Sequence, residues 1–191
     1  MNQKNLLEVD WTKIPAPTDD GATAHLVGVT IPPIGLVATD DSSVTLAALP
    51  GRTVVFAYPR TGEPGKVSLV DDWDMIPGAR GCTPQTCAFR DLFAELKAAG
   101  AAQVFGLSTQ SNDYQTEMAS RLHLPFPVLS DEKLTLTHAL NLPTMEVAGL
   151  TLIKRLALII DDARISHVFY PVFPPDRNAG DVLEWLKENP V

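Results

Sequence analysis

Cysteine is almost missing from this sequence: 191 residues carry two, Cys82 and Cys87. A pair so isolated excludes the disulfide framework of a small secreted domain. Long hydrophobic runs are missing too, and nothing approaches the roughly 18 consecutive apolar residues of a membrane span. The opening residues, Met1 to Glu8, contain no apolar h-region. No signal peptide is therefore expected, and the protein is expected to be cytoplasmic, with no membrane partner. Basic residues are outnumbered, 15 Lys and Arg against 23 Asp and Glu, for a net charge of -8. That balance argues against a nucleic-acid partner, whose phosphates need clustered positive charge. Histidine is scarce, and His25, His123, His138 and His167 are scattered. No second ligand pair accompanies the cysteines, so no metal site is expected. There is no internal repeat and no low-complexity segment.

Hydrophobic residues make up 45% of the chain, enough for a proper core. The length suits one domain. Residues 1–24, with Pro15, Pro17, Asp19, Asp20 and Gly21, read as an extended arm before a single domain over 25–191. Val44 to Leu46 reads as a short strand. Thr53 to Tyr58 is apolar and β-branched throughout, as a strand buried on both faces should be. Residues 59–81, rich in Gly, Pro and Asp, form a long loop of a length that usually carries function. Trp73 and Met75 are placed to fold over what lies beneath it.

From Cys82 the spacing predicts a helix to about Ala98, with Phe89, Leu92, Phe93 and Leu96 on one stripe. Val104 to Ser108 is a second buried strand, and Asn112 to Leu122 a helix. Pro125 to Leu129 reads as a short strand and Lys133 to Leu140 as a short helix. Arg155 to Ile160 and Arg164 to Phe169 are strands joined by a hairpin turn at Asp161-Asp162-Ala163. Asn178 to Glu188 closes the chain as a helix with Val182, Trp185 and Leu186 inward. Alternating strands and helices followed by a hairpin give an α/β fold, a mixed central sheet with helices on both faces.

Cys82 stands where the loop hands over to the helix. Thr83 and Pro84 suit a first helical turn, where proline's missing N–H costs nothing. Unpaired N–H groups and the helix dipole favour an anion there, so a thiol at that position is placed to act as a thiolate. Arg80 adds nearby positive charge. Cys87 lies five residues on, which in an ideal helix puts the Cα atoms about 8.6 Å apart. A disulfide needs them within about 7 Å. A bridge between the two therefore requires the helix start to unwind. The residues alone leave three readings: a redox pair, two structural thiols, or a metal site. Placement at a helix start favours the first.

The segment Gly81-Cys82-Thr83-Pro84-Gln85-Thr86-Cys87-Ala88-Phe89-Arg90-Asp91 resembles the G-C-T-x-x-x-C-x-F-R-D signature of peroxiredoxins of the Q, or bacterioferritin-comigratory, type. Tyr58-Pro59, Gly106-Leu107-Ser108 and the run Leu124 to Asp131 are similar to other family segments, and Arg155 matches its active-site arginine. The resemblance implies a thioredoxin-like fold and a thiol peroxidase that needs no cofactor. It implies that Cys82 is peroxidatic, that Cys87 resolves it through an intramolecular disulfide, and that Arg155 holds the thiolate and polarises the peroxide. Tyr58, Arg80 and Thr83 are candidates for the substrate pocket. The implied partners are a peroxide and a thioredoxin-like dithiol reductant, with the protein a monomer or homodimer. A protein disulfide oxidoreductase or a redox sensor would use the same pair. Three features depart from the family pattern. Ala79 stands where a threonine is usual, three residues before Cys82. Gln85 stands where a glutamate is common. The stretch from Arg60 to Arg80 is an insertion.

Overall fold

A computed structural model describes residues 9–191. The first eight residues of the expected arm lie outside the described residues. Strands β1 (Gly35–Ala38), β2 (Ser43–Thr45) and β3 (Arg52–Ala57) precede the long loop. Helices α1 (Cys82–Asp91) and α2 (Phe93–Ala98) follow it, then β4 (Gln103–Ser108), α3 (Asn112–Arg121), β5 (Val128–Ser130) and α4 (Thr135–Ala139). The chain continues through β6 (Thr144–Val147), β7 (Leu150–Ile153), β8 (Leu156–Asp161), β9 (Arg164–Phe169) and α5 (Asn178–Glu188).

Seven strands form one mixed sheet in the order β2-β1-β5-β4-β3-β8-β9. The β5-β4-β3 centre is parallel, and every other pairing is antiparallel. The centre explains the unbroken hydrophobic runs. Every residue of β3 is buried, and alternate side chains serve opposite faces. Val54 and Phe56 enter one core with Phe89, Leu96, Met118, Val182 and Leu186. Val55 and Ala57 enter the other with Leu26, Ile31, Leu136 and Leu140. So α1, α2, α3 and α5 cover one face, while α4 and the 26–31 segment cover the other. Phe56 lies flat on Phe89, with ring centroids 4.1 Å apart. Gly106 makes room for it, since a Cβ there would sit 3.2 Å from Phe56 Cζ and from Val128 Cγ1.

The sheet, its hairpin and the closing helix lie where the hydrophobic pattern puts them. Asp162 and Ala163 both take positive φ, as a two-residue β8–β9 turn needs. Other expectations need correction. The helix expected from Cys82 to Ala98 breaks at Leu92 (φ -97, ψ 10) into α1 and α2. The apolar stripe continues across the break, so periodicity alone does not reveal it. Leu46 begins a short 3₁₀ turn and is not the end of a strand. The strand expected over Pro125 to Leu129 starts only at Val128, because proline lacks the N–H that a ladder needs. The helix expected over Lys133 to Leu140 is a single turn and a half over α4. Its start is fixed by the buried Asp131 carboxylate, which accepts from the Leu136 and Thr137 N–H groups.

The β6–β7 hairpin was not expected at all. It turns on Ala148 and Gly149, both at positive φ, and its function is local. Val147 and Leu152 pack with Trp73 and Ala79, giving the long loop a small core of its own. Trp73 is buried there, while Met75 is largely exposed.

Candidate active site

The long loop enters α1 through Gly81 at φ 103, a left-handed conformation that L side chains rarely adopt. Space is missing as well. A Cβ at Gly81 would lie 2.6 Å from Trp11 Cη2 and 2.7 Å from Pro175 Cγ. Trp11 comes from the N-terminal arm. Its indole N–H donates to Asp176 at 2.9 Å, and its ring meets Phe173 edge-on. The arm and the 3₁₀ turn Pro175–Arg177 thus close over the helix start. We expect Gly81→Ala to cost about 2 kcal/mol or more, from strained φ plus displaced rings. The midpoint of a urea unfolding curve measures it.

Cys82 is the first residue of α1 and is 3% exposed. It lines a depression of about 30 Å³ with Arg60, Thr61, Gly62, Trp73, Arg80, Gly81, Thr83 and Pro84. A cavity of that size holds one or two water-sized groups. Behind the sulfur stands Arg155, 2% exposed, in the link between β7 and β8. Its Nη2 lies 3.2 Å from Cys82 Sγ and 3.1 to 3.2 Å from the carbonyl oxygens of Gly78, Ala79 and Arg80. Two N–H bonds are shared among these four acceptors. Nη1 donates to Gln85 Oε1, and Gln85 Nε2 donates to Asn178 Oδ1 at 2.9 Å. One guanidinium therefore ties the loop end, the Cys82 sulfur and, through Gln85, the start of α5.

None of these contacts of Arg155 is a carboxylate. A buried cation without an anionic partner is costly, and Cys82 Sγ is the contacting atom able to supply that anion. Cys82 also donates to the Ala79 carbonyl at 3.5 Å when it carries its proton.

Cys87 stands differently. It is 6% exposed and shares the main core with Cys82, but its thiol has other surroundings. Burial pushes its thiol up from the ordinary value, partly opposed by the nearby Arg90 charge. Both cysteines are free thiols on α1. Helical geometry over that span forbids a bridge in this state.

Thr83 and Arg80 line the depression. Arg80 Nη1 lies 3.7 Å from Asp74 Oδ1. Tyr58 does not line it: its ring is wholly buried, and its hydroxyl donates to Gln115 Oε1 at 3.0 Å. Burial first, then the charge of Cys82, raises its phenol well above the usual range, so it stays protonated. Thr61 is the residue that sequence reasoning missed. Its N–H and hydroxyl donate to Gln110 Oε1 at 2.9 and 3.1 Å, and this pins it beside Cys82. No signal in the sequence near position 61 marks it, because Gln110 is 49 residues away. The histidines stand elsewhere: His25 on the Leu140 carbonyl, His167 stacked on Trp185, His123 and His138 exposed. Among the described residues no helix is long and apolar enough to cross a membrane.

Comparison with known proteins gives this fold a family. The family model described as Redoxin matches residues 26–183. Peroxiredoxin Bcp of Escherichia coli K12 is 32% identical over 163 residues, covering 83% of this chain and 93% of the relative. The chloroplastic peroxiredoxin Q of Sedum lineare is 30% identical over 162 residues, 84% of this chain and 77% of its own. Among solved structures, peroxidoxin BcpB from Mycobacterium tuberculosis superposes with a TM-score of 0.70 at 25% identity, over 87% of this chain and 100% of that one. Peroxiredoxin Q of Xanthomonas campestris shares the fold, with a TM-score of 0.65 at 20% identity over 92% and 98% of the two chains. With a thioredoxin-like sheet and a buried cysteine at a helix start against an arginine, the chain belongs to the redoxin family, as a thiol-dependent peroxidase of the peroxiredoxin Q, or Bcp, type.

Proposed function

We propose that Cys82 is the peroxidatic cysteine, Cys87 the resolving one and Arg155 the residue that holds the thiolate and polarises the peroxide. The observation that carries the reading is the Arg155 Nη2 to Cys82 Sγ distance of 3.2 Å in a depression sized for a hydroperoxide head group. The thiolate attacks the distal peroxide oxygen. The O–O bond breaks, the leaving alkoxide or hydroxide takes a proton, and Cys82 becomes a sulfenic acid. The start of α1 then unwinds and Cys87 attacks the Cys82 sulfur. An S–S bond forms and water leaves. An external dithiol of the thioredoxin kind reduces the disulfide and is itself oxidised. Unwinding does two things for Cys87: it closes the distance, and it removes the burial that keeps the thiol protonated. Both sulfurs belong to one chain, so a monomer suffices, and the cycle suits a reducing compartment such as the cytoplasm.

The test is stoichiometric. Wild type given peroxide and a thioredoxin system turns over continuously and shows a Cys82–Cys87 disulfide by mass spectrometry. Cys87→Ser consumes one equivalent per chain and stops with a sulfenic acid that a dimedone probe traps at Cys82. Continuous turnover by Cys87→Ser at the wild-type rate with the same reductant would overturn the resolving role. Oxidation of wild type without recycling by any dithiol would favour a redox sensor instead.

A further inference from the structure

A bridge between Cys82 and Cys87 needs the start of α1 to unwind, and that start is roofed. Gly81 caps the helix with no spare volume: a Cβ on it would meet Trp11 Cη2 at 2.6 Å and Pro175 Cγ at 2.7 Å. Turning the backbone at 81 and 82 needs that volume, so one of the two rings has to give way. Pro175 is the fixed wall. It is buried in the 3₁₀ turn that runs straight into α5, whose Val182 and Leu186 lie in the main core. Trp11 is the movable wall. It is half-buried, and the 3₁₀ turn Trp11–Lys13 that carries it buries none of its residues. Its fastenings are the hydrogen bond to Asp176 and the edge contact with Phe173. That hydrogen bond is open to solvent, so breaking it exchanges one partner for water at small net cost. Further along, Asp20 fastens the same arm a second time, accepting from Lys154 Nζ and from the Tyr170 hydroxyl, each at 2.8 Å. Release of Trp11 therefore leaves the arm attached.

We propose that Trp11 is a positioning residue for the resolving step: it straps the start of α1 shut, and it must leave Gly81 before the Cys82 sulfur reaches Cys87. The inference rests on the cysteine assignment under Proposed function. Trp11 lies before the segment shared with the family, which begins at residue 26. It is not among the described residues that line the depression, so attack on the first peroxide does not depend on it. What it sets is the lifetime of the sulfenic acid. Two reactions compete during that lifetime. In one, Cys87 forms the disulfide and water leaves. In the other, a second peroxide breaks its O–O bond at the sulfenic sulfur, which becomes a sulfinic acid while water or an alcohol is released. At high peroxide a tight strap favours the sulfinic acid and a loose one the disulfide.

Two readouts on the full chain test this. In the reduced protein, hydrogen exchange reads the strap without any chemistry. Trp11→Ala should raise exchange of the amides at the start of α1 about five- to tenfold and leave β3 unchanged. With hydrogen peroxide, rapid quenching and mass spectrometry follow thiol, sulfenic acid, disulfide and sulfinic acid in one time course. Cys82 oxidation in Trp11→Ala should stay within about twofold of wild type, while the disulfide forms about five- to tenfold faster. The share of sulfinic acid at high peroxide should fall. Asp176→Ala removes the acceptor alone, and should move both readouts in the same direction by about two- to threefold. General destabilisation would raise exchange in β3 as well, and that pattern counts against the strap. Unchanged exchange at α1 in both variants, or a disulfide that forms no faster in either, would overturn the proposal. A wild type that forms no Cys82–Cys87 disulfide, with exchange rising as expected in the variants, would sink the cysteine assignment and leave the strap standing.

Discussion

With serine at position 82, peroxide consumption should fall to the uncatalysed background. Serine keeps the size of the side chain, so the buried helix start and its contacts should survive. What it cannot keep is the nucleophile, because a hydroxyl in contact with Arg155 does not ionise near neutral pH. Nor can it carry the oxygen away, since no stable counterpart of a sulfenic acid forms on serine. Cys87 is the remaining thiol, and its surroundings do not let it substitute. Both cysteines lie within one core cluster, but Arg155 Nη2 faces Cys82, and burial pushes the Cys87 thiol up from its ordinary value. The depression is lined by Cys82 and not by Cys87. Peroxide loss is followed colorimetrically with the thioredoxin system present, and circular dichroism confirms that the variant is folded. Steady dithiol-coupled turnover by Cys82→Ser would end the assignment.

How much of this site was visible in the sequence differs residue by residue, and the difference is physical. The cysteine pair announces itself because both sulfurs are local to one helix, and spacing along a helix converts directly into distance. The buried strands are equally plain, since burial on both faces writes an unbroken apolar run. Arg155 comes from the resemblance. Nothing in its own neighbourhood says that it will meet Cys82, 73 residues earlier. The contacts that no local pattern encodes are Trp11 over Gly81, Gln110 on Thr61, and Gln85 to Asn178. Each joins segments that only the closed sheet brings together. The β6–β7 hairpin was hidden for another reason. Its turn puts an alanine at positive φ, and only Gly149 beside it hints at a reversal. Its partner is the irregular 59–81 loop, whose small core is assembled from residues that look isolated in sequence.

Removing Arg155 should cost the enzyme about 10² to 10³ in the rate of Cys82 oxidation, the scale seen when a preorganised donor is taken from a site where charge develops. Methionine is the informative replacement. It fills much of the same volume but donates nothing. In the native site Nη2 faces the sulfur and also binds three successive carbonyls at the loop end. The substitution therefore acts twice. The sulfur loses the cation that its ionised form completes, and the Gly78 to Arg80 segment loses the donor that sets its path into α1. Lysine separates the two effects. It restores a charge but cannot reproduce the planar fork that reaches Gln85 and the sulfur together. Arg155→Lys should therefore recover part of the rate and remain well below wild type. Second-order rates with hydrogen peroxide, measured beside the thermal midpoints, decide the matter. Global unfolding alone lowers the rate only in proportion to the unfolded fraction, which for a domain stable by a few kcal/mol is below about one per cent. A hundredfold loss in a folded protein must come from the sulfur's surroundings. Arg155→Met oxidised within twofold of the wild-type rate would show that the contact seen at 3.2 Å is architectural. The thiolate would then owe its stability to the helix start by itself.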